Sequence, residues 1–383
     1  MTFECARCHD IPGIELAPER KHCVRCHQAI HAGTFAAKQE HLDRWKKRIT
    51  SMRWAPSLAG ADRLRRSWVQ AFLLAPHDVR PGLIAQMPRL AITPEQAARI
   101  AAHLVPAEAP EPAARADGAM QVDGVARTDP SIARGAELFR ALACGRCHRF
   151  TGSSVDDVAL HAKGRTVGSS VDLHTKGRAD PLDAAWALAP DLRFARQRMT
   201  EASMAAWIEH PRGAMPSLGV SAESARMLAA FIAGAPLDTS AMSADARTMP
   251  ARLPILARAV TYDEVDRRVF KNVCWHCHAV PDFARGDGGP GNSGGFGFAP
   301  RGLDVSSYEG LASGALDDSG ERRSIFAKLP DGTPRVVAHL MARYVEEAGG
   351  SVDGVRGMPL GLPPLPLEEI QLVESWIAQG RPR

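Results

Sequence analysis

Short amphipathic runs alternate along this 383-residue chain with stretches rich in Pro, Gly and Ala, and the runs read as helices. Over 133–143, Gly135 and Phe139 stand four apart on one face of a helix that ends at Cys144. Ser221 is placed to cap a helix over 221–232, with Met227, Leu228, Phe231 and Ile232 apolar and Gly234 just past its end. Thr93 caps a run from Pro94 to Leu104, and Gln96 completes a capping box. A closing helix covers 367–378 and is followed by Gly380. The run from Phe35 to Met52 is helix-like and puts His41, Trp45 and Met52 on one face. Residues 106–127 and 238–258 lack periodicity and read as linkers, which leaves modules at 1–105, 128–237 and 259–383. The expected fold class is mainly α with little strand. No run of 18 apolar residues is present, so no transmembrane segment is expected in this chain.

All eight cysteines fall into four copies of one pattern: Cys5-Ala6-Arg7-Cys8-His9, Cys23-Val24-Arg25-Cys26-His27, Cys144-Gly145-Arg146-Cys147-His148 and Cys274-Trp275-His276-Cys277-His278. C-x-x-C-H reads as a c-type haem attachment site. Two thiols one helical turn apart can bond both vinyl groups of a haem edge, while the adjoining imidazole meets the iron from one face. Two other readings compete with it. Cys5, Cys8, Cys23 and Cys26 have nearly the spacing of a zinc ribbon, and a lone C-x-x-C can be a redox dithiol. Neither explains a histidine after every second cysteine, nor two further copies far downstream. The expected cofactor is haem c, four per chain, held by these eight cysteines with His9, His27, His148 and His278 as proximal ligands. Haem joins this motif outside the cytoplasm, so the expected location is periplasmic or on the extracellular side of a membrane. The first haem cysteine stands at position 5, so residues 1–4 cannot be the expected signal peptide: either this is a processed or re-engineered chain or the true start lies upstream, and a lipid anchor could have been lost with it.

In the middle module the order is helix, C-x-x-C-H, Ala189-Pro190-Asp191-Leu192, a Trp207-bearing helix, Met215-Pro216 and a closing helix. That order resembles class I cytochrome c. The resemblance implies that the first and last helices cross and that Met215 is the distal ligand of the haem on His148. Met87-Pro88 and Met358-Pro359 recur before the closing helices of the other two modules, which extends the expectation to three cytochrome c-like helical domains in tandem, the first carrying two haem motifs. Met52, Met199, Met204, Met227 and Met341 lack the following proline and read as core or surface.

His27 lies sixty residues before Met87, close to the separation in the middle module, so Met87 is expected on the haem of His27. The haem on His9 then needs another sixth ligand from among His22, His31, His41, His77 and His103. His41 is preferred over His31; the alternative for either is a satisfied or solvated histidine. His276 reads as a surface or propionate-side residue, because the attachment helix cannot aim it at the iron of its own motif. The glycine-rich stretch 286–302 reads as a loop; it lacks the Gly-Lys-Ser/Thr of a phosphate-binding loop. A polar duplication, Gly152 to Arg165 and Gly168 to Arg178, reads as a surface extension, with a metal or partner site at His161 and His174 as the lesser reading.

Formal charge is +4, from 47 basic and 43 acidic residues, but it is unevenly spread. Residues 1–105 hold 16 basic against 9 acidic residues (+7), and 259–383 hold 13 against 17 (−4). Complementary charge speeds encounter, so the first module is expected to dock an acidic redox partner and the last a basic one. Scattered basic residues and the lack of a matching module argue against nucleic acid. Three Met-Pro turns and spare histidines can close all four irons, which favours transfer of single electrons between redox partner proteins over catalysis, with no catalytic residue assigned. The alternatives are a haem enzyme, a peroxidase or small-molecule oxidoreductase with an open site at the haem on His9, and an electron-transfer subunit of a respiratory complex. The expected electron order is first, second, third and fourth haem.

Overall fold

The structure, a computed structural model, describes residues 3, 5–47, 49, 51–78, 80, 87–106, 130–150, 189–212, 215–237, 249–279, 302–317, 319–347 and 350–383. Most of both expected linkers, the duplication at 152–178 with His161 and His174, and the glycine-rich stretch up to Arg301 lie outside them. The described residues are mainly helical; their strands are two residues each, Ala315–Leu316 and Arg322–Arg323, paired antiparallel with Ala315 opposite Arg323. No helix among the described residues is long and apolar enough to cross a membrane.

The chain gathers into two compact units. The first comprises Met1–Ala59, Gln86–Leu90 and Asp245–Arg383, the second Gly60–Ala85 and Ala91–Ala244. The stretch 1–105, expected as one module, is therefore shared between them. What ties the residues from Gly60 onward into the second unit is backbone pairing near Leu64 and Arg65. Leu64 bridges Met199, Arg65 N–H donates to Arg198 O (2.8 Å), and Arg65 Nε donates to Arg196 O (3.0 Å). The Arg63 and Arg198 guanidinium groups then lie over Trp207 and Trp68, at 5.3 and 5.7 Å from the ring centres.

In the second unit the Pro130–Ala141 helix packs closely against the Ala222–Gly234 helix. Gly135 makes the approach possible: a Cβ built there would overlap Met227 O and lie 2.7 Å from Phe231 Cβ. Beside this contact, Phe139, Phe150 and Phe231 pack with ring centres 5.3 to 5.6 Å apart. Ser221 caps its helix by accepting from Ser224 N (3.2 Å), and Thr200 caps the Glu201–Glu209 helix by accepting from Ser203 N (3.1 Å). The Arg66–Leu74 and Pro94–Leu104 helices pack together, the latter on its fully buried Ala97 and Ala101. Thr93 and Gln96 form both bonds of the capping box.

In the first unit a continuous helical run passes from Tyr262–Val265 through a π-wound Asp266–Cys274 to Trp275–His278. Its buried face, Val265, Val269 and Phe270, packs with the Leu367–Ala378 helix around the wholly buried Trp376. The Trp376 indole N–H donates to Pro382 O (2.9 Å). Near the N-terminus stand the Cys23–Ala32 helix, ended by left-handed Gly33, and the Gln39–Lys46 helix. The expected helix from Phe35 to Met52 is thus shorter. It stops because the carbonyls of Ile49, Ser51 and Met52 accept from the rings of His31 and His27, and Met52 turns to a positive φ of 54°.

Gly135→Leu is expected to lower stability by about 2 kcal/mol or more, since the obstacle is backbone of the facing helix and cannot rotate away. A urea titration of the holo-protein followed by circular dichroism would read this; an unchanged midpoint would refute the close packing.

Candidate functional site: four Cys-x-x-Cys-His clusters

The first and third clusters share one local geometry. Cys5–Arg7 and Cys144–Arg146 are single 3-10 turns in which the first cysteine's carbonyl accepts from both the second cysteine and the histidine: 3.1 and 2.9 Å to Cys5 O, 3.2 and 2.9 Å to Cys144 O. In the second cluster Cys23 opens the Cys23–Ala32 helix, and in the fourth Cys274 ends the π-wound segment, so in both a helix provides the one-turn spacing. All eight cysteines are free thiols. Burial pushes Cys26, Cys274 and Cys277 up to about 12, so these groups are protonated at neutral pH.

Three of the four motif histidines donate from Nδ1 to backbone. His9 donates to Pro56 O (2.8 Å), His148 to Pro190 O (2.9 Å), and His27 to Ser51 O and Met52 O (3.2 and 3.1 Å). A carbonyl can only accept, so the proton sits on Nδ1 and the lone pair on Nε2. Burial lowers the pKa of His9 and His148 and takes His27 and His278 down to about 4, which keeps all four imidazoles neutral at pH 7. His278 Nδ1 is buried without a hydrogen-bond partner, while its carbonyl accepts from Val305 N (2.8 Å).

The likeness of the first and third sites extends past the histidine. Leu58 N donates to Asp10 O and Leu192 N to Arg149 O, each at 2.9 Å, so the residue after each histidine is clamped to the same loop that holds its ring. The loop at His148 is Ala189-Pro190-Asp191-Leu192. The loop at His9 is Ala55-Pro56-Ser57-Leu58, a second copy of A-P-x-L whose repeat is legible in the sequence itself.

The first unit brings together cysteines of three motifs. Cys8, Cys23 and Cys277 share an apolar cluster with Met52, Leu90, Met358, Leu360 and Leu362. The Cys8 thiol hydrogen-bonds Cys23 and is raised by that bond and by burial. The third motif lies in the second unit. Among the described residues no three His, Cys, Asp or Glu side chains are grouped to hold a metal ion, so Cys5, Cys8, Cys23 and Cys26 do not converge as a zinc ribbon would.

Of the expected sixth ligands, Met358 lies half-buried between this cluster and the C-terminal core, its N–H donating to His339 O (2.8 Å). Met87 and Met215 are half-buried, and Leu90, three residues after Met87, packs in the cysteine cluster. His41 is held otherwise than expected. Its ring stacks on Trp45 (5.6 Å, 21°) and its Nδ1 accepts from Arg44 Nη2 (2.6 Å). A guanidinium can only donate, so the His41 proton is on Nε2 and that nitrogen has no lone pair for iron. His31 likewise spends Nε2–H on Ile49 O (3.0 Å). His22 caps the Cys23–Ala32 helix by accepting from Arg25 N at Nδ1 (3.2 Å), which puts its proton on a buried Nε2 3.9 Å from the Asp10 carboxylate. His276, expected at the surface or beside a propionate, has its ring 6.5 Å from that of His27.

Asp191 and Arg193, side chains both 5 % exposed, lock the loop that holds His148: Asp191 accepts from Arg193 N, Nε and Nη2, the last at 2.6 Å. Asp191→Ala leaves that guanidinium buried and unpaired, and is expected to cost about 3 kcal/mol or more in a denaturant titration. A loss under about 1 kcal/mol would show that the pair does not support the site. Compared with protein-family models, curated proteins and solved structures, this chain has no match.

Proposed function

We propose that this chain is a c-type cytochrome with four covalently attached haems, passing single electrons between redox partner proteins outside the cytoplasm. The observation that carries the reading is the set of Nδ1–H bonds from His9, His27 and His148 to backbone carbonyls, each leaving a neutral Nε2 lone pair on a histidine that directly follows a pair of free thiols in sequence. The orphaned Nδ1 of His278 fits the same use, as a buried imidazole whose polar capacity is left over by the protein alone. Bound there, haem supplies one-electron iron chemistry.

The residues divide the work of holding it. Cys5 and Cys8, Cys23 and Cys26, Cys144 and Cys147, and Cys274 and Cys277 form the thioether links. The carbonyls of Ser51, Met52, Pro56 and Pro190 fix the tautomer and raise the basicity of the coordinating nitrogens. Met215 and Met358 would supply the second ligands for the irons held by His148 and His278, and an iron with both positions filled exchanges electrons without admitting substrate. The close helix approach at Gly135 supports a class I cytochrome c-like fold for the middle module.

A second reading, a haem enzyme, is favoured by the tautomer of His41, which removes the ligand expected at the iron of His9. The two part on one measurement. Holo-protein reduced anaerobically is expected to carry four haems per chain and to show no spectral response to carbon monoxide. A response from one haem would mark an open iron and favour the enzyme; a chain lacking covalent haem would overturn both.

A further inference from the structure

The fourth motif carries an imidazole that haem attachment does not use. His276 is two residues before His278, about 200° around a helix of 3.6 residues per turn, and so faces away from the iron its own motif would hold. It turns instead toward the second motif. The ring centres of His276 and His27 are 6.5 Å apart with planes tilted by 35°, within the same compact unit. His27 Nδ1 is engaged by Ser51 and Met52, so its lone pair leaves the opposite side of the ring. Two imidazoles sharing one metal from opposite faces, with metal–nitrogen bonds of about 2 Å each, hold their ring centres roughly 6 Å apart. The pair has that separation; a ring-to-ring contact with no metal between is the rival explanation.

The position of Met87 bears on the same choice. Pro56, which holds His9, follows it by 47 residues, and Pro190 follows His148 by 42. Met87 then follows Pro56 by 31 residues and Met215 follows Pro190 by 25. The first A-P-x-L loop thus pairs Met87 with His9 rather than with His27, and the iron on His27 is left needing a ligand from elsewhere.

We propose that His276 is the sixth ligand of the iron carried on His27. The assignment rests on the reading of the chain as a tetrahaem cytochrome. It makes the second site bis-imidazole, with a lower potential than the thioether-ligated sites, and it makes the fourth motif serve two irons.

The test uses holo-protein with haem counted per chain. His276→Ala is expected to keep four covalent haems and to bind one carbon monoxide per chain where the parent binds none. His276→Met is expected to raise one midpoint potential and to add one unit of the near-infrared charge-transfer band of thioether-ligated ferric haem. Four haems with parental carbon monoxide response and potentials in His276→Ala would overturn the assignment. The ferric spectrum of the parent decides even where a variant does not fold: a band from three thioether-ligated irons supports the proposal and one from four overturns it. Absence of covalent haem would instead overturn the reading beneath it.

Discussion

A neutral imidazole offers one lone pair, and the hydrogen bond made by one ring nitrogen decides whether the other can serve as a ligand. Much of the chemistry legible in this protein reduces to that constraint. Backbone carbonyls at Pro56, Pro190, Ser51 and Met52 hold protons on Nδ1 of three motif histidines, whereas Arg44 and Arg25 N–H hold them on Nε2 of His41 and His22. Side chains of one type are thereby sorted by which ring nitrogen keeps its lone pair, Nε2 in the three motif histidines and Nδ1 in His22 and His41.

The thiols obey a parallel logic. The bond to Cys23, together with burial, raises the Cys8 thiol and burial raises that of Cys277, whereas the same bond outweighs burial at Cys23 and lowers it. The residues that pack there with the thiols, Leu90 on one side and Met358 and Leu360 on the other, come from two distant stretches of sequence. The cluster is therefore both a piece of core and the place where three motifs meet.

Local signals were legible where they depend on residues a few positions apart. The Thr93–Gln96 capping box, the Ser221 cap and the Gly135–Phe139 face are each read from one or two turns of chain and are found as expected. The mainly helical class follows from the same periodicity. What escaped depends on distance. The His27–His276 pairing joins residues about 250 apart in sequence, and the proton on His41 is set by where one Arg44 rotamer falls. The shortened helix near Trp45 has the same origin: its C-terminal residues are recruited as acceptors by a neighbouring helix, which no local propensity encodes.

The division of residues 1–105 has a further meaning. From Ala59 onward the chain passes to the second unit, returns for Gln86–Leu90, leaves again and comes back at Asp245, changing unit four times. Each unit is therefore assembled from more than one stretch of chain, so no single cut in the backbone would release either of them whole.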